Sequence, residues 1–229
     1  MYEWDVRPGA KGSDLYYFDR RGIGELSSFT GFVKVTYRGK KREYCLIDGE
    51  IVKNRIGGSK KQGYSYAGPD GLRVKDKTMN LAVEFVREHT KPTDSGSEKL
   101  SKCYYYLARH YPYTRYYVNL YPKADSMKSL AHDMLSKKTG NCHRYAASFV
   151  YIAKALGYDA RVVVGAITGR GGMTPHGWSE VKDGEDWYVC DPDMEMNGVS
   201  SYMKKTTPCY TTVTRRCTIH VKNGKVSWK

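Results

Sequence analysis

The sequence predicts an α+β protein in which helices precede an antiparallel sheet, with a small β-hairpin region ahead of both. Three observations carry this. Up to about residue 75, aromatic runs are followed by glycine-containing turns. From Asp76 to Leu156 apolar residues recur at helical spacing, and beyond Gly157 runs of strand length follow one another. The change of period at Asp76 divides the chain into 1–75, a β-hairpin repeat region, and 76–229, where the chemistry is expected.

In the first region Tyr16-Tyr17-Phe18 leads to Gly22, Tyr44-Cys45-Leu46-Ile47-Asp48 leads to Gly49, and Tyr64-Ser65-Tyr66 leads to Gly68-Pro69-Asp70-Gly71. Each is an aromatic run entering a turn, which is hairpin chemistry. The spacing of Gly22, Gly49 and Gly71 suggests a loose internal repeat. This segment resembles the choline- and glucan-binding repeats of bacterial surface proteins, although the usual Gly-Trp is Gly31-Phe32 here. The resemblance implies a stacked-hairpin architecture and a cell-wall location, and assigns no ligand residues.

The helices follow in order. Met79, Ala82, Val83 and Val86 form one apolar stripe, and Leu100, Cys103, Tyr104 and Leu107 form a second after the break at residues 91–96. Met127, Leu130, Ala131 and Met134 form a third, with Asp125 placed to cap its start. A fourth helix is expected from Cys142 to Leu156, with Ala146, Phe149, Val150 and Ala153 inward and Gly157 closing it. Strands are then expected at 161–165, at 176–182 and 187–191 as a hairpin, and at 210–221 and 224–228.

Composition narrows the classes. A chain of 229 residues that is 40% hydrophobic and 27% charged can build a full soluble core. No apolar run approaches the length of a membrane span. The first residues show neither a basic nor an apolar signal region, so the protein is expected either to stay inside the cell or to have lost its signal before Met1. A net charge of +14 favours anionic partners: nucleic acid, a cell-wall polymer or acidic proteins. Nothing resembles a basic arm, a zinc finger or a recognition helix, so nucleic acid is not expected. The 21 tyrosines are attributed to packing rather than base stacking. No cysteine pair has the Cys-x-x-Cys spacing of a zinc or redox motif. A disulfide drawn from Cys190, Cys209 and Cys217 would staple the C-terminal segment, with the pair left open.

Chemistry concentrates in three segments: Gly140-Asn141-Cys142-His143, His176-Gly177-Trp178, and Tyr188-Val189-Cys190-Asp191-Pro192. The first puts a thiol where a turn enters a helix, and the exposed N–H groups there favour a thiolate. If Asp183-Gly184 is the two-residue turn between the next two segments, His176 lies directly opposite Asp191 on the same face. A carboxylate so placed holds an imidazole in one tautomer. His143 is expected to leave the helix in another direction and to act as a neighbour, not a base. Cys190 should face away from Asp191, and Asp193 is a candidate metal ligand without calcium-loop spacing.

Gly-Asn-Cys at a helix start, His-Gly-Trp on a strand and Tyr-Val-Cys-Asp-Pro on the next resemble the transglutaminase-like superfamily over 125–194. The resemblance implies a papain-like α+β core, with Cys142 as nucleophile, His176 as base and Asp191 as its orienting acid. It implies a protein or peptide substrate, attacked at a glutamine side chain or a peptide amide, with no organic cofactor and no metal. Trp178 is expected to pack by the site or shape substrate access. Resolution of a Cys142 thioester by an amine makes a cross-linker; resolution by water makes a protease, amidase or deamidase. The rival class is a non-catalytic wall- or glycan-binding protein on the same scaffold.

Overall fold

The computed structural model describes residues 4–6, 15–18, 24–25, 29–37, 40–115, 126–169, 171–205, 210–220 and 225–228. The chain divides into two compact units, Met1–Lys75 and Asp76–Lys229.

Among the described residues of the first unit the regular elements are all strands. Strands β1 (Trp4–Val6), β2 (Leu15–Phe18) and β3 (Gly24–Glu25) form one antiparallel sheet; β4 (Gly31–Tyr37), β5 (Lys40–Ile47) and β6 (Glu50–Ile51) form a second. β7 (Arg55–Ser59) and β8 (Gly63–Ala67) make a hairpin. Asp48 and Gly49 join β5 to β6 with φ of 49° and 81°, the paired positive values of a type I′ turn. The turn expected at Gly49 is therefore present, while residues 19–23, the first expected turn, lie outside the described residues. The third differs: β8 has already completed a hairpin with β7 before the chain reverses again through Gly68–Gly71. Gly49 and Gly71 thus close unlike units, and their spacing does not mark a repeat. Gln62 braces β4 by standing in for a neighbouring strand. Its amide oxygen accepts from the Phe32 N–H at 2.6 Å and its Nε2 donates to the Phe32 carbonyl at 3.0 Å.

The second unit contains helices α1 (Lys77–His89), α2 (Gly96–His110), α3 (Ser126–Lys137) and α4 (Cys142–Ala155). They precede a five-stranded antiparallel sheet, ordered β11 (Asp186–Cys190), β10 (Gly172–Asp183), β9 (Ala160–Gly169), β12 (Tyr210–His220) and β13 (Lys225–Trp228). A short α5 (Pro192–Met196) follows β11. Asp76 caps α1 by accepting from the Met79 N–H, and Ser95 and Glu98 close α2 in a reciprocal capping box. Every residue of the four expected stripes is buried. Asp125, the expected cap of α3, lies outside the described residues.

α4 is buried on more faces than its stripe implied. Ser148, Tyr151 and Ile152 join the expected inward residues because α1, α2 and α3 cover one side and β9 and β10 the other. This sandwich holds Cys142 against the middle of the sheet. Gly157, at φ 99°, ends the helix in the left-handed conformation that favours glycine. Among the described residues Cys45, Cys103, Cys142, Cys190 and Cys217 are all free, and Cys209 lies outside them. The expected disulfide is thus absent for Cys190 and Cys217.

Candidate functional site

The site starts at the first turn of α4. The carbonyl of Gly140 accepts from the Thr114 N–H at 2.7 Å, and its own N–H donates to Pro112, which pins the entry turn. Asn141 caps the helix, its side chain accepting from the Arg144 N–H. Cys142 is then the first helical residue, 8% exposed, beside N–H groups that the helix itself does not satisfy.

His176 and Trp178 share one face of β10. The His176 Nε2–H donates to Asp191 Oδ2 at 2.6 Å, leaving Nδ1 for the thiol. Asp191 is fixed from several sides. Its Oδ1 accepts from the N–H groups of Asp193 and Met194, and Tyr210 donates to Oδ2 at 2.7 Å. Its backbone carbonyl accepts from the Tyr104 hydroxyl. The carboxylate that orients the imidazole is therefore also the cap of α5, with Pro192 at the first helical position.

Electrostatics follow from this packing. Burial opposes ionisation of Cys142, but hydrogen bonds from His143 and His176 outweigh it and bring the thiol down to about 5. Burial likewise opposes charge on His176, yet the Asp191 carboxylate and the thiolate hold its pKa well above the ordinary imidazole value. The resting pair is a thiolate and an imidazolium. The other described thiols go the opposite way: burial pushes Cys45 up to about 11, and Cys103, Cys190 and Cys217 up to about 12.

The register differs from the expected one. Ser179 pairs with Cys190 and Asp183 with Asp186, so the turn is Gly184-Glu185 rather than Asp183-Gly184. Gly184 takes φ 60° at the first central position, as a type II′ turn requires. The residue opposite His176 in continued register is then Asp193, not Asp191. Moving a turn by one residue moves each cross-strand partner by two, so the face is unchanged. β11 ends at Cys190, and the chain's swing into α5 returns the Asp191 carboxylate to the imidazole.

His143 also departs from expectation. Its Nδ1 lies 3.4 Å from the Cys142 sulfur, and its ring packs on β10 at Gly177. A Cβ at Gly177 would meet the His143 Cδ2 at 2.6 Å, so the glycine of His-Gly-Trp makes room for a second imidazole at the thiol. Gly177→Ala is expected to lower stability by about 1–3 kcal/mol, read as a fall in denaturant midpoint at unchanged slope. An unchanged midpoint would show that the His143 ring is not confined there.

Trp178, expected to pack by the site or shape substrate access, is 1% exposed. Its ring lies against Tyr210 at 4.8 Å between centroids and beside His176 at 6.2 Å. It packs beside the imidazole. Two residues join the site without having been singled out as members. Asp193, 6% exposed, places Oδ2 3.9 Å from His176 Nδ1, and burial followed by the Asp191 charge pushes its carboxyl up to about 7. Tyr210 hydrogen-bonds Asp191 from β12. The even spacing of Asp191 and Asp193 was the available signal for the first; nothing local marks Tyr210.

A family model described as the Transglutaminase-like superfamily matches residues 80–192. Among solved structures, the chain is similar to a TGase at 17% identity and TM-score 0.42, covering 58% of this chain and 35% of that one. It is similar to an arylamine N-acetyltransferase from Bacillus cereus at 18% identity and TM-score 0.39, covering 51% and 49%. It is also similar to the periplasmic domain of TgpA from Pseudomonas aeruginosa at 17% identity and TM-score 0.38, covering 86% and 74%. The chain thus spans less than half the length of the first two. No curated protein matches it. The family match leaves residues 1–75 outside, and the resemblance of that region to wall-binding repeats finds no support. No helix among the described residues is long and apolar enough to cross a membrane. The second unit, with helices followed by an antiparallel sheet, is similar over 80–192 to the Transglutaminase-like superfamily and has a transglutaminase-like α+β core.

Proposed function

We propose that this chain is a thiol-dependent acyltransferase acting on amide bonds, with Cys142 as nucleophile, His176 as general acid and base, and Asp191 as the residue that orients His176. The observation that carries the reading is a buried thiol held near pKa 5 beside an imidazole whose far nitrogen is bonded to a fixed carboxylate at 2.6 Å. The transglutaminase-like core supports thiol-dependent acyl transfer in general terms.

The Cys142 sulfur attacks the amide carbon, and the carbonyl oxygen becomes an oxyanion facing the first N–H groups of α4. His176 gives its Nδ1 proton to the departing nitrogen, the C–N bond breaks, and a thioester remains. Water or a primary amine then loses a proton to His176 and attacks the thioester. An acid or a new amide leaves and the thiolate returns. The protein substrate presents a glutamine side chain or a peptide amide. The charge of +14 favours action at an anionic surface, and a bacterial cell wall fits that description.

The deciding experiment incubates the protein with a glutamine-rich protein, with and without a labelled primary amine, and follows products by mass spectrometry. Amine incorporation identifies a cross-linker, and cleavage or deamidation alone identifies a hydrolase. Thiol reactivity gives a second check. Iodoacetamide labelling of Cys142, mapped by peptide, should rise through about pH 5 and stay level to neutrality. A midpoint near the free-thiol value of about 8.5 would contradict an activated nucleophile.

A further inference from the structure

One set of donors at the site exceeds what acyl transfer requires. Asp193 faces the thiol side of His176, whereas the orienting carboxylate is Asp191 on the other nitrogen. The thiol of Cys142, a ring nitrogen of His176 and a carboxylate oxygen of Asp193 lie within 4.8 Å of one another, and all three residues are buried. We propose that Cys142, His176 and Asp193 form a binding site for a zinc ion, which reversibly blocks the nucleophile.

The donor chemistry selects the metal class. Sulfur, imidazole nitrogen and carboxylate oxygen together suit Zn²⁺, whereas Mg²⁺ and Ca²⁺ take oxygen donors. Tetrahedral donors sit about 3.3–3.8 Å apart, so these three must draw together by about 1.5 Å at most, within reach of side-chain rotation. Outer contacts already orient two of them. Asp191 holds His176 Nε2 at 2.6 Å and so presents Nδ1 to the metal, the carboxylate–histidine arrangement of zinc sites. Asn197 Nδ2 donates to Asp193 Oδ1 at 3.3 Å and to the Asp193 carbonyl at 2.8 Å, leaving Oδ2 directed at His176. Three protein donors leave the fourth position to water. A zinc ion there occupies both the sulfur that would attack and the nitrogen that would move the proton.

Binding does not depend on turnover, so the test separates this site from the acyl-transfer reading. The full chain, stripped with chelator, is titrated with Zn²⁺ against a chromophoric chelator, and with Co²⁺ as a spectroscopic probe. The expected result is one ion per chain at micromolar metal or tighter, with Mg²⁺ in large excess failing to displace it. Co²⁺ should show a thiolate charge-transfer band and tetrahedral d–d bands, which read the coordination in the unaltered protein whether or not variants fold. Cys142→Ala should lose the site, and Asp193→Asn should weaken it about tenfold or more. Absence of stoichiometric binding, a cobalt spectrum without the thiolate band, or binding undiminished by Asp193→Asn would each overturn the proposal.

Discussion

Cys142→Ala is expected to remove turnover almost completely, by a factor on the order of 10⁵–10⁶ in kcat. The size follows from the route: without a sulfur no thioester forms, and neither His176 nor the α4 N–H groups offers a second nucleophile. The variant should still fold, since Asn141 caps α4 through its own side chain and Cys142 is only one residue of a helix buried on nearly every face. Its stability should nevertheless carry a pH signature. The folded thiol ionises at about 5 against an ordinary 9.0, so the stability it contributes is fully present above 9 and is lost as pH falls through 5. His176 works in the other sense. Its pKa is raised above 6.5, so its contribution is present below 6.5 and is lost as pH rises through the folded value. In the wild type the two tendencies offset one another above 6.5; in Cys142→Ala only a histidine part remains, reduced by loss of the thiolate and sustained by Asp191. The gap in Tm between wild type and variant, in chelator-treated protein, should therefore widen from pH 5 to pH 9. Full retention of activity would end the thiol mechanism, and a pH-independent gap would mean that the thiol is not ionised in the folded state.

Much of this arrangement is legible in the residues, for reasons that can be located. The helical stripes are legible because a helix covered on one side must repeat its apolar positions every three to four residues, and each residue of those stripes is buried. Cys142, His176 and Asp191 are legible because a thiol at a helix start, an alternating strand face and the three short motifs are read from local segments, and the structure brings His176 and Asp191 together at 2.6 Å. What the residues do not state depends on long-range placement. A strand sequence does not state which residue its turn begins on, so the β10–β11 register came out two residues off while the face stayed right. The burial of Trp178 depends on Val163 on β9, Val189 on β11 and Tyr210 on β12, which only strand pairing brings to it. His143 illustrates the same limit. Helical geometry alone turns it from Cys142, but the missing Cβ of Gly177 on another element lets its ring settle at the sulfur. In the first unit, two glycine turns of similar composition close different structures, because composition sets turn type and not the order in which strands pair.

Asp191→Asn should cost about 10³–10⁴-fold in kcat with little loss of fold, and Asp191→Ala should cost both. The distinction rests on the double employment of this side chain. Asparagine is a good N-cap, so its oxygen can still accept from the Asp193 and Met194 N–H groups and keep α5 in place. It carries no charge, however, and the carboxylate is the first of the influences that hold His176 cationic against burial. With that charge gone the imidazole loses its proton more readily, the thiolate loses its partner, and the labelling midpoint of Cys142 should move upward from about 5. Alanine removes the cap, the acceptor of the Tyr210 hydroxyl and the imidazole partner together. Leaving those buried donors unpaired is expected to lower stability by about 2–4 kcal/mol. Unfolding curves and kcat for the pair of variants separate the roles: a catalytic loss at preserved stability in Asp191→Asn assigns the carboxylate to orienting His176. Turnover within tenfold of wild type would instead confine Asp191 to capping α5, and the proton transfer at His176 would need another source of orientation.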